Sequence, residues 1–283
     1  MKKILCFVLF FNWLNQSSGQ TKNFPLSELQ YLSFSTEVHG MTAMMRNPAG
    51  LSIFPNDDGA FFNYNFLKAS NPEEINFALT MKNLAFAVQQ FPIDDDAALS
   101  SIRSYKLGLS VGGKVLSIGT SNKIVELQSS IENKWVFSFD AGVIFQPAPF
   151  LSIAAHVRDL NEPVLEDYQF RREFSSGFGL RLLNNRFKIL AEAAWDDNTR
   201  NFEQSRLKAG LSIMPIQNFE ILVGGIIKNG LIDVVAKNEE FYAILQIPFW
   251  GGIRILATAR MDGQKEFLRY SASSLIPLKT IAF

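Results

Sequence analysis

Ser110 sits in Gly108-Leu109-Ser110-Val111-Gly112, which matches the G-x-S-x-G pattern of a nucleophilic serine. That chemistry needs the serine on a sharp strand-to-helix bend, with a histidine to take its proton. Here apolar and polar residues alternate straight through Ser110, and the chain holds only two histidines, His39 and His156. A strand serine is expected and no triad. Asp94-Asp95-Asp96 has the oxygen ligands of a calcium site, but it falls between two alternating segments, where a solvated loop accounts for it. Two histidines without a mature cysteine make no zinc set. The expectation is no metal, no cofactor and no enzyme.

The remaining chemistry is charge. Lys82, Lys106, Arg158, Arg181, Lys188, Arg206, Lys208, Arg254 and Arg260 fall on the polar side of alternating segments, against Asp140, Glu192 and Glu220. If that side is enclosed, such a basic field attracts an anionic head group such as a carboxylate, which the planar arginine fork suits. Arg158, Arg181, Arg206, Lys208 and Arg254 are then the candidate ligand residues. The competing reading is that these side chains tie each other and a neighbouring segment together by ion pairs.

Such residues need elements to hold them. Lys2 and Lys3 precede an apolar run from Ile4 to Leu14 and a small-residue stretch ending near Gly19 or Gln20. This is the pattern of a secretory signal peptide, assigned to residues 1–20. The single cysteine, Cys6, lies inside it. No later stretch approaches the roughly 18 apolar residues of a spanning helix. With 27 basic and 27 acidic residues the chain has no basic surplus for nucleic acid. Two classes remain: a soluble exported β-domain, and a transmembrane β-barrel whose strands are apolar only at every second residue.

Period-two alternation marks fourteen segments: 59–68, 75–82, 84–92, 104–111, 114–120, 135–145, 150–158, 172–182, 186–195, 202–213, 218–227, 241–248, 252–261 and 266–277. In "SRLKAGLSI", Leu207, Ala209, Leu211 and Ile213 share one face, and Arg206, Lys208, Gly210 and Ser212 the other. Taken in order, the connections alternate long and short, with only 262–265 short among the long set, as in bacterial outer-membrane barrels with short periplasmic turns and longer outside loops. Leu231-Ile232-Asp233-Val234-Val235 is placed in the sixth long loop; as a separate strand it would break that parity. The fold class is therefore all-β: a transmembrane antiparallel up-and-down barrel of about fourteen strands over residues 59–283, ending on an aromatic, Phe283. Residues 21–58 do not alternate cleanly. A barrel this wide encloses open space, so this segment is expected to fold into the lumen as a hatch, with a turn at Asn47-Pro48.

Arg46-Asn47-Pro48-Ala49-Gly50-Leu51, just ahead of the first strand, resembles the NPAGL signature of FadL-type transporters of hydrophobic compounds. It also resembles the related PorV and PorQ proteins of the type IX secretion system. The resemblance implies an N-terminal hatch before a fourteen-stranded barrel in the outer membrane of a Gram-negative bacterium, with Asn47 to Leu51 as the hatch motif. It implies uptake or passage of small hydrophobic, including anionic, molecules. The alternative it carries is a non-transporting plugged barrel acting as a subunit or shuttle of a secretion system. The implied partners are outer-membrane lipid with either a hydrophobic small molecule or secretion-system proteins.

Overall fold

Alternating side chains sort themselves by solvent, and the sorting here is the reverse of a soluble protein's. In the computed structural model the described residues are 22–23, 28–38, 40–53, 58–67, 74–92, 99–129, 133–166, 168–196, 205–228, 239–264 and 266–277. The apolar side of the strands is exposed: Leu109 is 48% exposed and Ile213 51%. The polar side is buried, with Ser104, Ser121, Ser152 and Ser212 each at 0%. Apolar residues outside and polar residues inside suit lipid on the exterior and exclude the soluble β-domain.

The fourteen strands are β1 (Gly59–Leu67), β2 (Glu74–Met81), β3 (Leu84–Pro92), β4 (Leu99–Gly112), β5 (Leu116–Ser129), β6 (Lys134–Ala148) and β7 (Leu151–Arg158). They continue as β8 (Glu173–Leu182), β9 (Phe187–Asp196), β10 (Arg206–Ile216), β11 (Phe219–Ile227), β12 (Glu239–Pro248), β13 (Arg254–Asp262) and β14 (Phe267–Pro277). Each pairs antiparallel with its sequence neighbours, and β14 closes on β1 with Ser273 opposite Asn63. β11 pairs directly with β12, Ile227 opposite Glu239, so no strand intervenes and the parity holds. Leu231–Val235, Asp94–Asp96, His39 and residues 1–20 lie outside the described residues.

Two strands run further than their alternation indicated. β4 begins at Leu99 and β5 ends at Ser129, so much of the expected loops 93–103 and 121–134 is a tall hairpin. Its inward residues include Ile102, Val125 and Leu127, all buried. Apolar residues on both faces hide the period of two. They are covered by Leu165 and Phe170 from the β7–β8 connection, which folds over the mouth with Phe91.

Among the described residues three short helices occupy the lumen: α1 (Glu28–Leu32), α2 (Gly40–Arg46) and α3 (Gly50–Ile53). α2 and α3 pack against β2 to β5, where inward Ala78, Ala85 and Ala87 leave room for Met44, Met45 and Leu51. Tyr31 and Phe34 instead meet Leu190, Leu222, Ile226 and Tyr242 on β9 to β12. Lys22–Asn23 adds in parallel to Tyr168–Gln169, which pairs with Val164–Leu165 in the long β7–β8 connection. The chain thus threads the lumen from the long-loop mouth to the short-turn end, where β1 begins at Gly59.

Candidate functional site

The hatch motif is fitted to the wall atom by atom. Asn47 Oδ1 accepts from the Ala49 N–H (3.2 Å), the local turn that starts α3. Its Nδ2 donates to the Ser35 carbonyl within the hatch (3.2 Å) and to Val143 O on β6 (3.4 Å). Ser117 Oγ on β5 donates to Ala49 O at 2.5 Å and pairs with Ser52 Oγ. Such close approach requires a wall without side chains: a Cβ on Gly142 would fall on Asn47 Oδ1. Pro48 lies against Gly119 in the same way, and Leu51 is 2% exposed.

Arg46 ends α2 with no exposure at all. Its Nη2 meets Glu192 Oε1 at 2.5 Å and its Nη1 meets Glu173 Oε1 at 3.2 Å. Burial pulls the guanidinium pKa down, but Glu192 and Glu173 more than reverse this and leave it above its usual value. Glu192 also accepts from the Ser35 N–H (2.6 Å) and from Lys208 (3.0 Å). Glu173 also faces Arg206 (3.1 Å) and Arg158 (3.7 Å). Lys208 Nζ donates to Ser33 O (2.5 Å) and lies 4.5 Å from the centre of the Phe34 ring.

Two further latches hold the hatch. Glu37 bridges Arg181 (2.6 Å) and Lys188 (3.5 Å). Tyr31 donates to Glu240 (2.9 Å), which also takes Arg260 (3.0 Å) and Lys228 (2.5 Å). Burial, then the Glu240 charge, raise the Tyr31 phenol above its usual range.

The expected surplus of lumenal cations narrows here. Eight of the nine candidates face inward, but Lys82 is exposed on the β2–β3 turn at φ 49°, its N–H bonded to Asp58. The counter-charges were undercounted, because Glu37, Asp159, Glu173 and Glu240 all reach the lumen. Glu37 belongs to the hatch, Asp159 follows β7, and Glu173 and Glu240 stand in the first two residues of their strands. Glu37, Asp159 and Glu240 lay outside the alternating segments, whereas Glu173 fell inside 172–182, on the same face as Arg181, and was passed over. Lys123 on β5, paired with Asp159, was missed because its strand was ended early. Ser110 is an inward strand residue as expected, and His156 is buried on β7.

The five candidate ligand residues divide. Arg158, Arg206 and Lys208 join the Arg46 cluster. Arg181 and Arg254 line a cavity of about 740 Å³ at the short-turn end, with Lys114, Lys188, Glu37 and Glu220. Above it a chamber of about 80 Å³ lies between the hatch and β9 to β13, walled by Leu32, Phe34, Leu190, Leu222, Ile244 and Leu256. Glu37, Lys188, Glu220 and Gln246 border both spaces. A third hollow of about 740 Å³ opens on the exterior, where Ala191, Ala193 and Ala209 lie between Phe178 and Phe241. It belongs to the lipid-facing surface.

No protein-family model matches the sequence. No curated protein matches it either. Solved structures do. The chain is similar to a deletion mutant of the TodX monoaromatic hydrocarbon channel (TM-score 0.57, 10% identity, 86% of this chain and 95% of that one). It is similar to the Ralstonia pickettii toluene transporter TbuX (TM-score 0.56, 10% identity, 83% and 92%). A Pseudomonas aeruginosa FadL homologue matches at TM-score 0.55 and 10% identity over 91% and 99%. At this identity the likeness is one of architecture. Fourteen strands closed around an N-terminal hatch, with lipid-facing side chains outside, give this chain the fold of the FadL-type outer-membrane channels.

Proposed function

We propose that the barrel passes small hydrophobic molecules across the outer membrane along the β9–β13 wall, beside α1. The observation that carries this reading is an apolar lane on the β9–β13 wall that encloses an open chamber, where the apolar wall elsewhere is filled by α2 and α3. Leu190, Leu222, Ile244 and Leu256 face inward onto Leu32 and Phe34 around the small chamber. A water-filled pore gains nothing from inward aliphatic residues, whereas an apolar passenger is desolvated by them. The printed names of the structural neighbours, a monoaromatic hydrocarbon channel and a toluene transporter, describe those proteins and agree with such a passenger. Passage needs only a displacement of α1 or its neighbours, since the chamber already borders the cavity at the short-turn end.

The test is uptake of labelled toluene by intact Gram-negative cells lacking their own hydrocarbon channels, where the lipopolysaccharide leaflet is the barrier. Expression of the chain raises the initial rate, and Leu222→Glu, which places a charge in the lane, returns it to the vector level. An initial rate equal to the vector control refutes this reading and leaves a plugged, non-transporting barrel.

A further inference from the structure

Arg181 on β8 and Lys188 on β9 stand directly opposite each other across the ladder, both facing the lumen. Like charges at directly opposed positions repel, so this part of the wall requires an anion between them. The hatch supplies one. Glu37, in the segment between α1 and α2, puts one carboxylate oxygen 2.6 Å from Arg181 and the other 3.5 Å from Lys188. Glu220 on β11 takes a second side of Lys188 at 2.9 Å. Glu37 is also where the apolar chamber meets the larger cavity, because it borders both.

We propose that the Arg181–Lys188 pair is a seat for the carboxylate of an organic acid, and that Glu37 is the resting stand-in for it. A passenger whose apolar body lies in the chamber brings its own carboxylate to the pair and displaces Glu37 into the cavity of about 740 Å³ below. The exchange keeps both wall cations neutralised throughout, so it avoids leaving a buried charge bare. It also removes the Glu37 tie between the hatch and the β8–β9 wall. Lys114 and Arg254 on the same cavity extend the positive field towards the short-turn mouth. The ligand class is a monocarboxylate with a compact apolar body. This inference rests on the reading of the barrel as a conduit.

Isothermal titration of the full-length detergent-purified protein, with benzoate and its neutral analogue benzyl alcohol, tests it. Benzoate binds the unmodified protein at least tenfold more tightly than benzyl alcohol. Glu37→Gln removes the competitor and tightens benzoate about tenfold, the scale of one hydrogen bond to a charged group. Glu37→Asp, a milder change to the hatch, shifts it in the same direction. Arg181→Gln lowers benzoate affinity to that of benzyl alcohol. Equal binding of the two probes, or unchanged benzoate affinity in both Glu37 variants, overturns the proposal. Toluene uptake with no benzoate preference refutes the seat alone. Benzoate binding without toluene uptake refutes the conduit and keeps the seat.

Discussion

Arg46→Met removes the charge that joins the hatch to β8 and β9 while keeping most of the side-chain volume. The guanidinium is fully buried, 2.5 Å from Glu192 and 3.2 Å from Glu173. Breaking a buried pair by removing one partner costs about 3–5 kcal/mol, because the other charge stays behind. Both carboxylates keep other cations here, Lys208 at 3.0 Å from Glu192 and Arg206 at 3.1 Å from Glu173. The cost therefore falls at the lower end, about 3 kcal/mol, or roughly a hundredfold in an equilibrium constant. It falls on the seating of the hatch, since the main-chain ladder of the barrel is untouched. Ser35 reports on that seating: its N–H binds Glu192, and its own hydroxyl is buried without a hydrogen-bond partner. In a Cys6→Ser background, which removes the only native cysteine, Ser35→Cys therefore places a lone thiol under the hatch. In detergent, maleimide labelling of Ser35→Cys accelerates about a hundredfold when Arg46→Met is added, with the heat-modifiable gel mobility of the barrel unchanged. Equal labelling rates in a barrel of unchanged mobility would refute the claim that Arg46 holds the hatch.

Two further expectations follow from the wall. Phe178 is near the middle of β8 and points outward, so Phe178→Arg puts a charge close to the bilayer midplane at a cost of about 2–4 kcal/mol. Guanidinium unfolding in lipid vesicles measures it, and a loss below about 0.5 kcal/mol would show that this face does not meet lipid. Gly142→Ala drives a methyl group into Asn47 Oδ1. Overpacking of this kind costs about 1–3 kcal/mol, read as faster Ser35→Cys labelling; an unchanged rate would mean that the motif does not rest on β6.

Much of this was legible because lipid and lumen impose the same period of two on every strand. The bounds of β3, 84–92, were readable to the residue, and the inward placement of Arg181, Lys208 and Glu192 followed from alternation alone. Legibility failed wherever a second structure covered the inner face. Above the hatch, Ile102, Val125 and Leu127 face Leu165 and Phe170 rather than water, so apolar residues stand on the face that is polar elsewhere and the alternation loses its contrast. The same cause produced the apolar lane, where Leu190 and Leu222 look inward at Phe34. Charge was misjudged for a different reason. A register assigns a face only within a strand, and Glu37 and Asp159 lie outside any strand. Their destinations depend on how the hatch and the β7–β8 connection fold, which no local period encodes.

The two halves of the hatch are held by different forces, and that difference decides which half moves. α2 and α3 are packed by Met44, Met45, Leu51 and Ile53 onto Phe61, Ile144 and Leu275, contacts that must be lost together if the segment shifts. α1 and residues 33–38 are held to the wall by the Tyr31 and Phe34 contacts, by hydrogen bonds through Tyr31, Ser33, Ser35 and Thr36, and by the ion pairs of Glu37. There each hatch-facing carboxylate already has more than one cation: Glu192 has Arg46 and Lys208, Glu37 has Arg181 and Lys188, and Glu240 has Arg260 and Lys228. Pairs of this kind exchange one at a time without exposing a bare buried charge, so the intermediate positions are never as costly as a single broken pair. Gly40, at φ 52°, stands at the start of α2 and marks the junction between the halves. Arg46 lies on the boundary itself, anchored in the packed half and paired to the wall of the exchangeable one. The apolar lane lies under the exchangeable half. The motif at Asn47 to Leu51 is therefore the fixed end of the hatch, and the route opens along α1.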